Sequence, residues 1–250
     1  MAQQPPVETA VPEVEPPGPK TPPPLPRWEQ ESRDRIKAGI RRFTKPISEA
    51  VSRDANEGDT RLLVTDILCD ILGYDKYTEL TTEYQVRGEF ADYGIRIDQD
   101  LVAFLECKRA ATKLTPKHLR QVEMYAVNEG VEWLILTNAH AWQVYHLSPG
   151  MPVRIDLAFE TDLLSTDETP SQRSDKLFYL SRESLKRRQI DDLWLTQAAT
   201  APKMLAAALL SDNVLAGLRG EIWRRSRRRV DSRDLARLLA EGVIRPEALP

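Results

Sequence analysis

Between Asn56 and Leu72 the apolar residues recur at helical spacing. Leu63, Ile67 and Ile71 fall four apart on one face, with Leu68 and Leu72 beside them. The pattern predicts an amphipathic helix over this stretch, ended by Gly73 in a left-handed conformation. Upstream, Trp28 to Phe43 is helical in pattern and highly charged, and Pro46 after Thr44 predicts a second short helix, because proline is tolerated in a first turn. Past Gly73 the period changes to two. Residues 82–87 (TEYQVR), 91–97 (ADYGIRI) and 101–108 (LVAFLECK) read as three consecutive strands, with hairpins around Gly88 and around Asp98, Gln99 and Asp100. Thr115 followed by Pro116 opens a helix running to Glu129 and closed by Gly130. Residues 131–137 (VEWLILT) read as a buried strand, 141–147 (AWQVYHL) as its hairpin partner, and 152–157 as a weaker strand. From about Lys176 the pattern is helical again, with segments at 182–194, 200–210, 212–225 and 231–241.

This order predicts an α/β fold with an αβββαβ core: a mixed sheet flanked by helices, with a C-terminal helical annex packed on the core or on a partner. The step from Phe104 to Leu134 should be a right-handed parallel crossover. Residues 1–26 hold ten of the eighteen prolines and read as a disordered tail. The expected division is that tail, a sheet domain with N-terminal helices over 27–165, and a helical region over 176–250.

Composition narrows the function classes. A chain of 250 residues with 41% hydrophobic and 29% charged residues suits one core and a small second unit. It has neither an apolar stretch long enough to cross a bilayer nor a signal-peptide core, so a cytoplasmic location is expected. Cys69 and Cys107 lie in apolar elements, without zinc-ligand spacing. A net charge of −3 means that nucleic-acid binding must come from local patches. Four basic clusters exist: Arg35 to Arg42, Lys108 to Arg120, Arg182 to Arg188, and Arg224 to Arg229. Only the second touches candidate chemistry; a solvated helix face is the ordinary reading of each. His118, His140 and His146 lack ligand spacing and read as structural, as do Trp133 and Trp142.

The candidate chemistry starts at the end of one strand. Glu106 and Lys108 are two residues apart and share a face, while Cys107 points to the other. If the preceding hairpin is centred on Gln99, Asp92 lies directly opposite Glu106. Opposed Cβ atoms sit roughly 4.5 to 5.5 Å apart, and two carboxylates so close repel unless a proton or a cation lies between them. Mg²⁺ suits such oxygen donors, with Mn²⁺ as an alternative. A one-residue slip would put Asp92 on the wrong face.

These features together resemble the PD-(D/E)xK nuclease superfamily, and most closely the N-terminal nuclease domain of type I restriction enzyme R subunits. The stretches that carry the likeness are Asn56-Glu-Gly-Asp-Thr-Arg61 leading to Leu72-Gly-Tyr-Asp75, Ala91-Asp-Tyr-Gly94, Phe104-Leu-Glu-Cys-Lys108, and Gln121-Val-Glu-Met-Tyr125 with Leu136-Thr-Asn138 after it. The resemblance implies a restriction-endonuclease-like fold. It makes Asp92, Glu106 and the Cys107 carbonyl metal ligands, Lys108 the catalytic lysine, and Glu57 a helix-borne acid facing the metal. Gln121 and Tyr125 match the QxxxY motif of RecB-like members, able to reach the active site or a phosphate. Ala91 stands where many relatives have proline, which leaves the aspartate's role intact. No G-x-x-x-x-G-K-[ST] phosphate loop occurs in the chain, so it lacks a translocating motor of its own. It is either a free-standing nuclease or one component of an assembly in which a motor or methyltransferase protein is the partner. The implied activity is Mg²⁺-dependent endonucleolytic hydrolysis of DNA, in bacterial restriction or defence. The alternatives are a catalytically silent nuclease-like module that binds nucleic acid or a partner, and a DNA-binding regulator acting through the C-terminal helices.

Overall fold

In a computed structural model, residues 24–249 are described except 87–88, 149 and 151. The side chains of Val86, Glu89, Phe90, Gln121 and Tyr125 are also outside the description. All but the end of the proline-rich tail, and the hairpin expected around Gly88, therefore lie outside the described residues.

The chain opens with α1 (Arg27–Ser52) and α2 (Glu57–Asp66), followed directly by a π turn (Ile67–Ile71). Three strands come next, β1 (Leu80–Val86), β2 (Glu89–Ile97) and β3 (Asp100–Cys107). A 3₁₀ turn (Pro116–Leu119) leads into α3 (Arg120–Glu129), and then into β4 (Trp133–Thr137), β5 (Ala141–Ser148) and β6 (Arg154–Asp162). The remainder is helical: α4 (Pro170–Phe178), α5 (Arg182–Lys186), α6 (Gln189–Ala199), α7 (Pro202–Leu209), α8 (Asp212–Ser226) and α9 (Ser232–Gly242). The six strands form one sheet in chain order, parallel between β3 and β4 and antiparallel elsewhere. Phe104 pairs with Leu134 across the parallel step. This is the mixed, helix-flanked α/β architecture expected from the pattern.

The alternation along the strands feeds two cores. One face of the sheet presents Tyr93, Ile95, Leu105, Ile135, Trp142 and Val144 to α1, α2, the π turn and the helices after β6. The other presents Phe104, Leu134, Leu136 and Tyr145 to Leu119, Val122 and Ala126 of the crossover. Every residue of β4 is buried, as a strand covered on both faces requires.

Several local features depart from the pattern-based reading. Pro46 does not break the chain; α1 runs through it. An interior proline costs about 3 kcal/mol. Ile36, Ile40, Phe43 and Ile47 are all buried on that helix, each contributing about 1.5 to 3 kcal/mol, so packing outweighs the penalty. The predicted helix from Asn56 is present, capped by the Asn56 side chain accepting the Asp59 N–H at 2.9 Å. Its last turn is π rather than α, closed by Leu72 N–H donating to Ile67 O at 3.0 Å. Gly39 lets α1 approach this turn closely, since a Cβ there would lie 2.7 Å from Ile71 Cγ1. Gly73 then takes φ +84°, as the helix stop demands.

The weak last strand is longer than its alternation indicated, because β6 pairs with β5 from Arg154 to Asp162. The helical region begins at Pro170, behind a Thr169–Gln172 capping box, rather than at Lys176. The segment expected at 182–194 is two helices, divided where Arg188 adopts φ +55°. Leu177, Phe178, Leu185 and Ile190 join the main core, and Arg35 pairs with Glu183 at 2.7 Å. Thus α4 to α6 pack on the core, as expected of an annex. Ala206, Ile244 and Ala248 form a small separate cluster farther along the chain. No described helix is long and apolar enough to cross a membrane.

Candidate active site

The site depends on how β2 meets β3. Asp98 and Gln99 both have positive φ, 50° and 79°, so the hairpin turns on these two residues, with Ile97 opposite Asp100. The turn is thus not centred on Gln99, as the sequence reading assumed. Continued without interruption, that register would set Asp92 against Leu105. A β-bulge intervenes: Arg96 pairs with Leu101 but Ile95 with Ala103, leaving Val102 as the extra residue. Pairing then runs to Tyr93 opposite Leu105, and the next step sets Asp92 opposite Glu106.

The two acids sit at the C-terminal end of the parallel step. Asp92 Oδ2 accepts the Cys107 N–H at 2.8 Å, and Oδ1 accepts from Arg61 Nη1 at 3.1 Å. Glu106 is only 6% exposed, and its Oε1 pairs with Lys108 Nζ at 2.5 Å. Its Oε2 is buried and meets no partner at hydrogen-bond geometry, although the Asp92 N–H is near enough to the carboxyl to favour its charged form. Burial pushes the Glu106 carboxyl up from its ordinary range, and the charge of Asp92 pushes it further, against the pull of Lys108. Burial lowers the Lys108 ammonium, but the pairing with Glu106 outweighs it and holds the group above its usual value. The Cys107 thiol is fully buried and raised by burial first, then by Asp92, so it stays protonated and packs as a small apolar group.

The surroundings fix this arrangement. Lys108 N–H donates to Thr137 O at 2.8 Å, tying the end of β3 to β4. The next residue, Asn138, donates to Thr112 O at 2.9 Å and accepts the Ala141 N–H at 2.8 Å, which holds the loop that follows Lys108. Glu57 stands in the first turn of α2, and its charge is felt by both Cys107 and Lys108. Arg61, one turn further on, was not singled out from the sequence. Its spacing from Glu57 places it on the same helix face, which was the available signal. Tyr93 OH donates to Arg61 O at 2.8 Å and so anchors α2 to β2. Gln121 and Tyr125 lie one turn apart in α3, with side chains outside the described residues. Beside Asp92 opens a cleft of about 560 Å³ lined by Arg61, Leu62, Thr65, Tyr77 and Tyr93 among others.

Each acid has one cationic partner, and Glu106 keeps one buried oxygen without a hydrogen bond. Among the described residues no three His, Cys, Asp or Glu side chains form a ready-made metal cage. The donor set is instead two opposed carboxylates, one with an orphaned buried oxygen, next to main-chain carbonyls. Mg²⁺ usually takes one or two carboxylates and keeps several waters, so these donors fit that ion better than one needing a full protein shell. Residues 56–154 match the family described as type I restriction enzyme R protein N terminus (HSDR_N). The matched segment carries Asp92, Glu106 and Lys108 and points to a restriction-related nuclease role. It leaves α1, most of β6 and the C-terminal helices outside. No curated protein and no solved structure matches the chain.

The three histidines have structural environments. His118 Nδ1 accepts the Thr115 N–H at 3.2 Å in the cap before α3. His140 bridges Asn138 and Asp162. His146 lies against the rings of Trp133 and Trp194. Trp142 is fully buried in the sheet core.

Proposed function

We propose that this chain is a Mg²⁺-dependent endodeoxyribonuclease of the PD-(D/E)xK type, serving restriction or defence against foreign DNA. The observation that carries the reading is the buried Glu106 carboxyl, with Oε2 unpartnered and within reach of the Asp92 charge, at the end of a strand within the matched segment. Asp92, Glu106 and the Cys107 carbonyl would hold the ion, with Glu57 near enough to act on the same site. Mn²⁺ would serve in its place. When bound, the ion would acidify a water and screen charge on the scissile phosphate.

The protein's own groups do the remaining work. Arg61 and the Cys107 N–H hold the Asp92 carboxylate in one orientation. Lys108 stays protonated and places a positive charge where a phosphate oxygen gains negative charge during in-line attack. The Asn138 clamp keeps the loop after Lys108 from collapsing into the site. Gln121 and Tyr125 would face a DNA phosphate from α3. A motor or methyltransferase protein would supply translocation and sequence choice.

Plasmid cleavage with Mg²⁺ tests this reading, comparing the wild type with Asp92→Ala and Lys108→Ala. Cutting that needs the metal and disappears in both variants is the expected result. Equal nicking by all three proteins would reveal a contaminant. Folded wild type that fails to cut whichever divalent metal is supplied would instead favour a silent module that binds nucleic acid or a partner.

A further inference from the structure

Of the basic clusters in the chain, the one from Arg182 to Arg188 is consumed by the fold. The one from Arg35 to Arg42 is partly so, with Lys37 and Arg41 exposed and without a carboxylate partner among the described residues. Arg35 pairs with Glu183 and Arg42 with Asp70. Arg182 pairs with Glu79, Lys186 with Asp98 and Arg188 with Asp191, while Arg187 lies over the Trp28 ring. The cluster at the α8–α9 turn is different. Between Arg219 and Arg233 there are seven arginines against Glu221 and Asp231, in a chain whose net charge is −3. Glu221 pairs with Arg224 and Arg225. Arg227, Arg228 and Arg229 are exposed and have no carboxylate partner among the described residues.

The turn is a built structure. Arg227 ends α8 in the left-handed region at φ +56°, and its guanidinium lies 4.7 Å from the centre of the Trp223 ring. Arg219 donates to Val230 O at 2.9 Å and to Ser232 Oγ at 3.0 Å, bracing the turn from behind. The Asp231 side chain caps α9. A groove of about 330 Å³ results, floored by Ala216 and Gly220 and rimmed by Arg219, Trp223 and Arg229. The Trp223 side of this rim is 44% exposed, an aromatic surface next to unpaired guanidinium groups.

We infer that the α8–α9 turn is a second nucleic-acid site, which grips the DNA phosphate backbone independently of sequence and lies outside the family match. Every cation from Asp212 to the end of the chain is arginine, the residue whose planar fork matches phosphate oxygens in pairs. A lipid surface would call for several apolar side chains reaching out among the cations, whereas the Arg224–Arg229 stretch has none and Trp223 beside it has the Arg227 guanidinium over its ring. The site supplies affinity and leaves the cutting to the sheet. It extends the nuclease reading by giving the enzyme a hold on DNA away from the scissile bond.

The test is anisotropy of a labelled DNA duplex with the full chain in EDTA, across a salt series. The proteins compared are wild type, Arg42→Gln, and Arg227→Gln/Arg228→Gln/Arg229→Gln, each shown folded by circular dichroism. Each lost phosphate contact lowers the slope of log affinity against log salt by about 0.9, so the triple variant should lose about 2.7. Equivalently, between about 50 and 200 mM salt the wild type should lose roughly 40-fold more affinity than the triple variant. Arg42→Gln, at an arginine paired with Asp70, should keep the wild-type slope. A triple variant with the wild-type slope overturns this site whatever happens to cleavage. So does binding that depends on these arginines only with phosphatidylserine vesicles or RNA. A reduced slope in a protein that never cuts DNA would uphold this site and sink the nuclease reading alone.

Discussion

Removing the ammonium of Lys108 should expose how expensive the buried Glu106 charge is. Glu106 is 6% exposed and has a single side-chain hydrogen bond, to Lys108, while its other oxygen has none. In Lys108→Met that bond is lost, and breaking a buried pair in this way costs about 3 to 5 kcal/mol if the survivor stays charged. The carboxyl has an escape, which is to take up a proton. From an ordinary value of 4.5, protonation costs about 3.4 kcal/mol at pH 7 and about 0.8 kcal/mol at pH 5. The destabilisation is therefore capped near those values. The sign follows from the raised carboxyl: folding with a neutral Glu106 is favoured below its unfolded value, and that advantage is lost as pH rises through the folded value. Urea unfolding of wild type and Lys108→Met, without divalent metal, should show a deficit of about 2 to 3 kcal/mol at pH 7 that shrinks to about 1 kcal/mol at pH 5. Mg²⁺ should restore part of the loss at pH 7, because a bound cation replaces the missing charge. A deficit equal at both pH values, and untouched by Mg²⁺, would refute the idea that Glu106 is a buried acid awaiting a cation.

Other perturbations probe the frame of the site. Pro46 is exposed within α1, so Pro46→Ala should stabilise the protein by about 1 to 3 kcal/mol, seen as a higher melting temperature; a lower one would mean the helix needs the proline. His146 is held below its usual value by burial against Trp133 and Trp194, so its contribution is complete above pH 6.5 and fades as pH falls through the folded value. Unfolding between pH 7 and 5 should accordingly be less pH-dependent in His146→Phe, and an unchanged dependence would contradict this. Arg61 occupies an Asp92 oxygen and is about one-third exposed, so Arg61→Leu should lower the Mg²⁺ needed for half-maximal cleavage by up to about fivefold. A higher requirement would show that Arg61 serves the substrate instead.

Much of the sheet was legible because strands buried on both faces leave long apolar runs, as in Phe104-Leu-Glu-Cys107, and because left-handed helix stops such as Gly73 and Gly130 strongly favour glycine. The opposition of Asp92 and Glu106 was anticipated from a register that, at the turn itself, is one residue off. The turn lies at Asp98 and Gln99, and the bulged Val102 returns the register to the expected one. Asp98-Gln-Asp100 contains no glycine to mark left-handed positions, and a bulge in an apolar strand has no sequence signature. The continuity of α1 through Pro46 was hidden because it depends on tertiary burial. Arg61 was overlooked for a similar reason: its contact with Asp92 exists only once α2 lies against β2. The split at Arg188 was missed because a non-glycine residue takes a left-handed conformation there.

The most direct test of the account is whether one divalent ion binds between the two acids. Titrating Mn²⁺ into the full chain and counting free ion by electron paramagnetic resonance gives the answer without any substrate. The account expects a single site in the wild type that is lost in both Asp92→Asn and Glu106→Gln. Wild-type binding that survives unchanged in either variant would contradict it.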